Sequence, residues 1–177
     1  MGTSTDLAVT GNTYPAVMDR PAGNSSQMDA AIARAAALLR APRSCVVVLT
    51  NRTSIAWELT AMTVRRGAFA DVPPPRITPW SFAVFGAQSL AAHAGAGCNG
   101  TVCYASRAAR VQLELNYDVP YAGSTAARLD VSGPTARSIG TSVRSRDGTG
   151  YTKVFFLQMT AQNGPSHQPA TYGVHPL

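Results

Sequence analysis

The side chains best able to carry out covalent chemistry are few and poorly placed for it. His93 lies in an alanine- and glycine-rich stretch, and His167 and His175 lie near the C-terminus. No Gly-x-Ser-x-Gly elbow is present, and context suggests no cysteine–histidine or carboxylate pair, so an enzyme is not expected. The cysteines, Cys45, Cys98 and Cys103, are odd in number. They show no C-x-x-C spacing, and no paired histidines accompany them, so neither a zinc site nor any other cofactor is expected. Cys98 and Cys103 flank Asn99-Gly100-Thr101-Val102, a spacing that a bridged hairpin would allow. Cys45, inside Cys45-Val46-Val47-Val48-Leu49, reads as a buried free thiol.

The binding chemistry is richer. Fifteen basic residues against nine acidic ones give a net charge of +6, and Lys153 is the only lysine. Arginine suits planar anions such as phosphate, so anionic surfaces are favoured on encounter. The bases are scattered, with Arg65-Arg66 the only adjacent pair. A nucleic-acid binder would show a dense basic stripe interleaved with aromatics, so no nucleic-acid partner is expected. Arg65 and Arg66 read either as a clamp for a lipid phosphate or as a solvated pair at a strand end. Trp80, at the turn Thr78-Pro79-Trp80-Ser81, suits the headgroup region of a membrane, with Tyr121 able to sit nearby; otherwise it half-covers one end of the fold. Asn24-Ser25-Ser26, Asn51-Arg52-Thr53 and Asn99-Gly100-Thr101 fit the glycosylation pattern.

The elements that must position these groups fit one domain of 177 residues. Mean hydropathy is −0.01, and no apolar run reaches the roughly 18 residues of a membrane span. No secretory signal is visible, and Asp6 stands where a myristoylation motif wants Ser or Thr. The expectation is a secreted or released soluble protein. Residues 1–24 read as a flexible leader. Residues 25–41 form an amphipathic helix, with Ser26 and Asp29 at capping-box spacing, Met28, Ile32, Ala35, Ala36 and Leu39 on one face, and Pro42 as the stop. From 42 to 161 the period falls to two. Cys45–Leu49 reads as a central strand buried on both faces, Ala56–Val64 as a strand with Trp57, Leu59 and Ala61 alternating against Glu58 and Thr60, and Val111–Tyr117 alternates cleanly. Val72-Pro73-Pro74-Pro75 reads as a stiff surface connection. Arg146–Gly150 is the turn of a closing hairpin, and 162–177 a loose tail. The fold class is mainly β, an antiparallel β-sandwich of about eight strands behind an N-terminal helix.

The order of landmarks resembles the actinoporins, β-sandwich cytolysins with an N-terminal amphipathic helix. Val46–Asn51 followed by Trp57, Arg65-Arg66-Gly67, Ile77-Thr78-Pro79 with Ala83-Val84-Phe85, Gly97–Tyr104 and Val119-Pro120-Tyr121 resemble that family's landmarks at similar spacing. A second resemblance is to the aegerolysins, through Tyr117–Ser124. After Tyr121 the chain departs from the actinoporins. Ala122–Ala126 replaces a loop of Trp and Tyr, and Ser132–Ser138 is too short for their second helix. Arg66, Asn99 and Asp118 replace small or apolar pocket residues, and only Pro120 agrees, so an aromatic choline cage is not implied. What the resemblance implies is a lipid-membrane-binding protein of the pore-forming cytolysin class that self-associates on membranes. Arg65, Arg66, Asn99, Asp118, Pro120 and Tyr121 would meet headgroups, Trp80 would anchor, and the helix face from Met28 to Leu39 would insert. The alternative to insertion is a helix packed permanently on the sandwich. The alternative function is a lectin-like module, in which Asn99, Asp118, Ser124 and Tyr121 bind a glycan without pore formation.

Overall fold

The computed structural model describes residues 25–90, 96–148 and 152–162. The leader, all three histidines and the tail beyond Gln162 lie outside them. Among the described residues, helix α1 (Ser25–Leu38) precedes ten strands: β1 (Ser44–Arg52), β2 (Trp57–Arg66), β3 (Ala68–Asp71), β4 (Arg76–Ile77), β5 (Phe82–Gln88), β6 (Cys98–Ser106), β7 (Val111–Val119), β8 (Ala126–Ser132), β9 (Ile139–Asp147) and β10 (Thr152–Ala161). They form two five-stranded sheets, ordered β3-β5-β1-β10-β9 and β4-β2-β6-β7-β8.

Two cores explain why β1 is apolar at successive positions. Cys45, Val47 and Leu49 point into the main core between the sheets, with Phe85, Leu113, Leu115 and Phe155. Val46 and Val48 point the other way, into a second core with Phe82, Val84 and Val154, roofed by Ala31, Ile32 and Ala35 of α1. Met28, Ala36 and Leu39 pack at its margin. The expected helix face is therefore the docked face, with Ala31 added. The helix starts at Ser25, so Ser26 lies in its first turn and not at the cap.

Four expectations need correction. The sheets are not wholly antiparallel: β1 and β10 pair in parallel, Ser44 opposite Thr152, because the returning chain reaches the sheet centre from far along the sequence. The proline run is not a surface strip. Pro73 and Pro74 are buried, the Pro74 carbonyl accepts the Tyr104 hydroxyl at 3.0 Å, and the Pro75 carbonyl accepts the Leu59 N–H at 2.8 Å. Cys98 and Cys103 do not flank a hairpin. Both lie in β6, Cys98 buried and facing inward, Cys103 facing outward, and side chains on opposite faces of one strand cannot be bridged. In β2 the alternation fails after Leu59, because bulges fall between Leu59 and Ala61 and between Val64 and Arg66 and turn Ala61 outward.

The registers sort the loops into two ends. At one end Arg66 lies opposite Asn99, Cys98 opposite Val119, and Ser44 opposite both Gln88 and Thr152. Gly67 turns the chain there from one sheet to the other at φ 84°, where a Cβ would overlap the Gln88 carbonyl oxygen. The opposite end carries Arg52, Trp57, Phe82 and Ser106.

Candidate functional site

A shallow groove of about 160 Å³ opens on the outer face of the β4-β2-β6-β7-β8 sheet, near the Gly67 end. Its side chains come from the outward positions of neighbouring strands. Arg66, Asn99, Asp118 and Ala126 form one row across β2, β6, β7 and β8. Two residues along, about 7 Å away, Thr63, Thr101, Asn116 and Arg128 form the next. Arg65, at the β2 bulge, also lines the groove. Gly100 lets the sheet close beneath it: a Cβ there would come within 2.6 Å of the hydroxyl of its cross-strand partner Tyr117.

Polar satisfaction within the groove is uneven. The Thr101 hydroxyl donates to Asn116 Oδ1 at 2.7 Å, and Asn116 Nδ2 donates to Glu114 at 2.9 Å. Arg128 pairs with Asp130 at 2.6 Å, both well exposed. By contrast, Asn99 Oδ1 is buried with no hydrogen-bond partner among the described residues. Among the described residues, no hydrogen bond or ion pair engages the side chains of Asp118 or Arg65. An orphaned buried acceptor beside an unengaged carboxylate and guanidinium is an arrangement suited to a ligand.

Beside the groove, the same end presents exposed apolar groups. Tyr121 is 63% exposed, Leu90 48% and Leu38 45%. They are tied together by the chain: Gln88 Oε1 accepts the Arg40 and Ala41 N–H groups after α1, Ser89 N–H donates to the Arg43 carbonyl, and the Arg43 guanidinium lies over the Tyr121 ring at 5.7 Å. Arg65 and Arg66 are exposed at this end. Pro120 packs beside Gly97 and leads into Tyr121.

Trp80 is elsewhere. It is 52% exposed and holds φ 56°, and its N–H donates to the Thr53 carbonyl at 3.3 Å, in the turn after β1. Between Trp80 and Tyr121 the chain crosses the sandwich three times, in β5, β6 and β7, so the two aromatics lie at opposite ends. The expected nearness of Tyr121 to Trp80 is thereby overturned.

Beneath the groove end, the Cys45 thiol hydrogen-bonds Cys98 across the sandwich. That bond and its burial push Cys45 well above the usual thiol range. Tyr117 is pushed above the usual phenol range, first by burial and then by the two thiols, and its hydroxyl has no partner among the described residues. Asn51 cannot be a glycan acceptor as folded. It is fully buried, and its amide donates to the Ile55 and Thr78 carbonyls at 2.7 and 2.8 Å.

Register thus brings together Arg65, Arg66, Asn99 and Asp118, with Pro120 and Tyr121 at the adjoining end. Sequence reasoning missed Thr101, Asn116 and Arg128. The polar positions of the alternating strands were the available signal, but which polar residues meet depends on strand pairing.

The architecture is that of a two-sheet sandwich found in solved proteins. The chain is similar to the lipid binding protein Nakanori, with a TM-score of 0.65 and 14% identity over 76% of this chain and 79% of that one. It is also similar to the RahU protein, solved in complex with a TRIS molecule, with a TM-score of 0.51 and 9% identity over 70% of this chain and 98% of that one. At these identities the likeness is one of fold. No protein-family model matches the chain, and no curated protein matches its sequence.

Proposed function

We propose that this chain binds lipid membrane surfaces through the Tyr121 end of the sandwich, without catalysis. The observation that carries the reading is the grouping of exposed Tyr121, Leu90 and Leu38 with Arg43, Arg65 and Arg66 beside a polar groove. Apolar and aromatic groups enter the interface while guanidinium groups meet phosphate, and each offsets the weakness of the other. The lipid-binding description of a fold neighbour and the resemblance to actinoporins from Cys45 to Tyr121 support it.

Pore formation is the further step of this reading. Helix α1 has 14 residues, about 21 Å at 1.5 Å per residue, short of the roughly 30 Å hydrocarbon core. No helix among the described residues is long and apolar enough to cross a membrane. Release of α1 uncovers Val46, Val48, Phe82, Val84 and Val154, a face that lipid or a second copy must then cover. Lying in the interface with its Ile32 face down is the state that α1 can reach on its own length.

Flotation with vesicles of phosphatidylcholine, phosphatidylserine mixtures and sphingomyelin–cholesterol tests the docking step, with dye leakage as the second readout. We expect retention on at least one composition. Leakage that Ile32→Asp abolishes while retention persists would assign insertion to α1. Failure to float with every composition would end the membrane reading.

A further inference from the structure

We infer that the groove between Arg65 and Arg128 is a recognition site for a neutral polyol, meaning a ring or chain bearing adjacent hydroxyl groups. The argument starts from what the groove leaves unpaired. Thr101 and Asn116 satisfy each other, and Arg128 is engaged by Asp130. The groups without partners among the described residues are the buried end of the Asn99 amide, the Asp118 carboxylate and the Arg65 guanidinium.

A phosphate would suit Arg65 but would face Asp118, which sits directly opposite Asn99 in the register. A quaternary ammonium would suit the carboxylate, yet it has no N–H for the Asn99 oxygen and finds, among the described residues, no aromatic side chain open to the groove. A hydroxyl both donates and accepts. It can donate to Asp118, accept from Arg65 and satisfy the Asn99 amide in either orientation. Two or three neighbouring hydroxyls on one rigid ring can do all of this together without bringing in a charge. The volume, about 160 Å³, is below the roughly 300–1,000 Å³ of drug-sized pockets and fits a single small ring.

Such a ring can come from the headgroup of a glycosylated or inositol-bearing lipid, or from a free glycan. The lipid form rests on the membrane reading above; the groove chemistry does not.

The test is amide NMR titration of the full chain with methyl glycosides of glucose, galactose, mannose and N-acetylglucosamine, with myo-inositol and with inorganic phosphate. Flotation with glycolipid-bearing vesicles runs in parallel. We expect at least one polyol to shift the Asn99 side-chain and Thr101 and Asp118 backbone signals at millimolar concentration. Asn99→Ala and Asp118→Ala should weaken that binding at least tenfold. Arg65→Ala, at an exposed side chain, should leave the fold intact and weaken it severalfold. Polyol binding without vesicle retention upholds the groove and ends the membrane reading; vesicle retention with no polyol shift does the reverse. Shifts with inorganic phosphate alone, or polyol shifts away from these residues, overturn the proposal.

Discussion

The two ends of the sandwich carry the same kinds of residue in different arrangements. The Trp80 end has the largest exposed aromatic, held at positive φ, and exposed arginines including Arg52, Arg107 and Arg110. The Tyr121 end has a smaller aromatic, but it also has two exposed leucines, the arginine pair and a groove with unpaired polar groups. Side-chain type favours the first as a membrane anchor, and arrangement favours the second. A single ring is less informative than several modest groups whose positions are fixed by one strand register.

Four measurements would break or sharpen this contrast. Gly67→Ala should have the largest effect, because it combines positive φ with overlap on a backbone carbonyl. We expect a loss of about 3 kcal/mol and a Tm lower by roughly 6–12 °C, read by calorimetry. A fall as small as that of an ordinary surface change would show that the crossover at this end relaxes freely.

The second measurement is stability against pH. Cys45 and Tyr117 beneath the groove, and Tyr104 at the far end, all have folded values raised by their surroundings. Each is neutral when protonated, so the folded state holds its proton more tightly than the unfolded chain. Stability is therefore complete below the ordinary thiol and phenol values and declines as pH rises beyond them, by up to about 1.4 kcal/mol per pH unit and group. Denaturant titrations from pH 7 to 11 should stay flat and then fall above about pH 9. A rise in that range would contradict the assignment.

Third, Arg65→Ala with Tyr121→Ala should lower vesicle retention at least tenfold, about 1.4 kcal/mol, while Trp80→Ala changes it less than about twofold. Trp57 is fully buried, so a fluorescence shift on vesicle binding reports on Trp80. We expect none, and a clear blue shift would move docking to the other end.

The smallest effect compares two buried tyrosines. Tyr104→Phe removes the hydroxyl donated to Pro74 and should cost about 1 kcal/mol. Tyr117→Phe removes a hydroxyl with no partner and should be neutral or slightly stabilising in chemical denaturation.

Much of the sandwich could be read from residue order, because burial leaves a period. The unbroken run of β1 reflects a strand covered on both sides, and the alternation of β7 reflects one covered on a single side. The docked face of α1 follows from the same logic. Strands β3 and β4 are too short to show a period. The bulges of β2 shift its alternation without any marker as clear as a proline. Parallel pairing of β1 with β10 leaves no local trace at all, since each strand alone is simply apolar. The candidate site was visible only in part for the same reason. Asn99 and Asp118 stand out through the actinoporin resemblance, as polar residues at pocket positions, but their meeting with each other and with Arg128 is a property of pairing. Trp80 and Tyr121 share a type that suits an interface, but the three strands between them set them at opposite ends.

The union of β1 with β10 also dictates an order of assembly as the chain leaves the ribosome. The β4-β2-β6-β7-β8 sheet is built wholly from residues 57–132 and can pair as soon as that stretch has emerged. The other sheet keeps an open seam beside β1 until Thr152–Ala161 arrives, a partner 108 positions downstream. Until then β1, strongly apolar and paired only with β5, keeps one edge open, and that edge is the part of the nascent chain most exposed to aggregation or to capture by a chaperone.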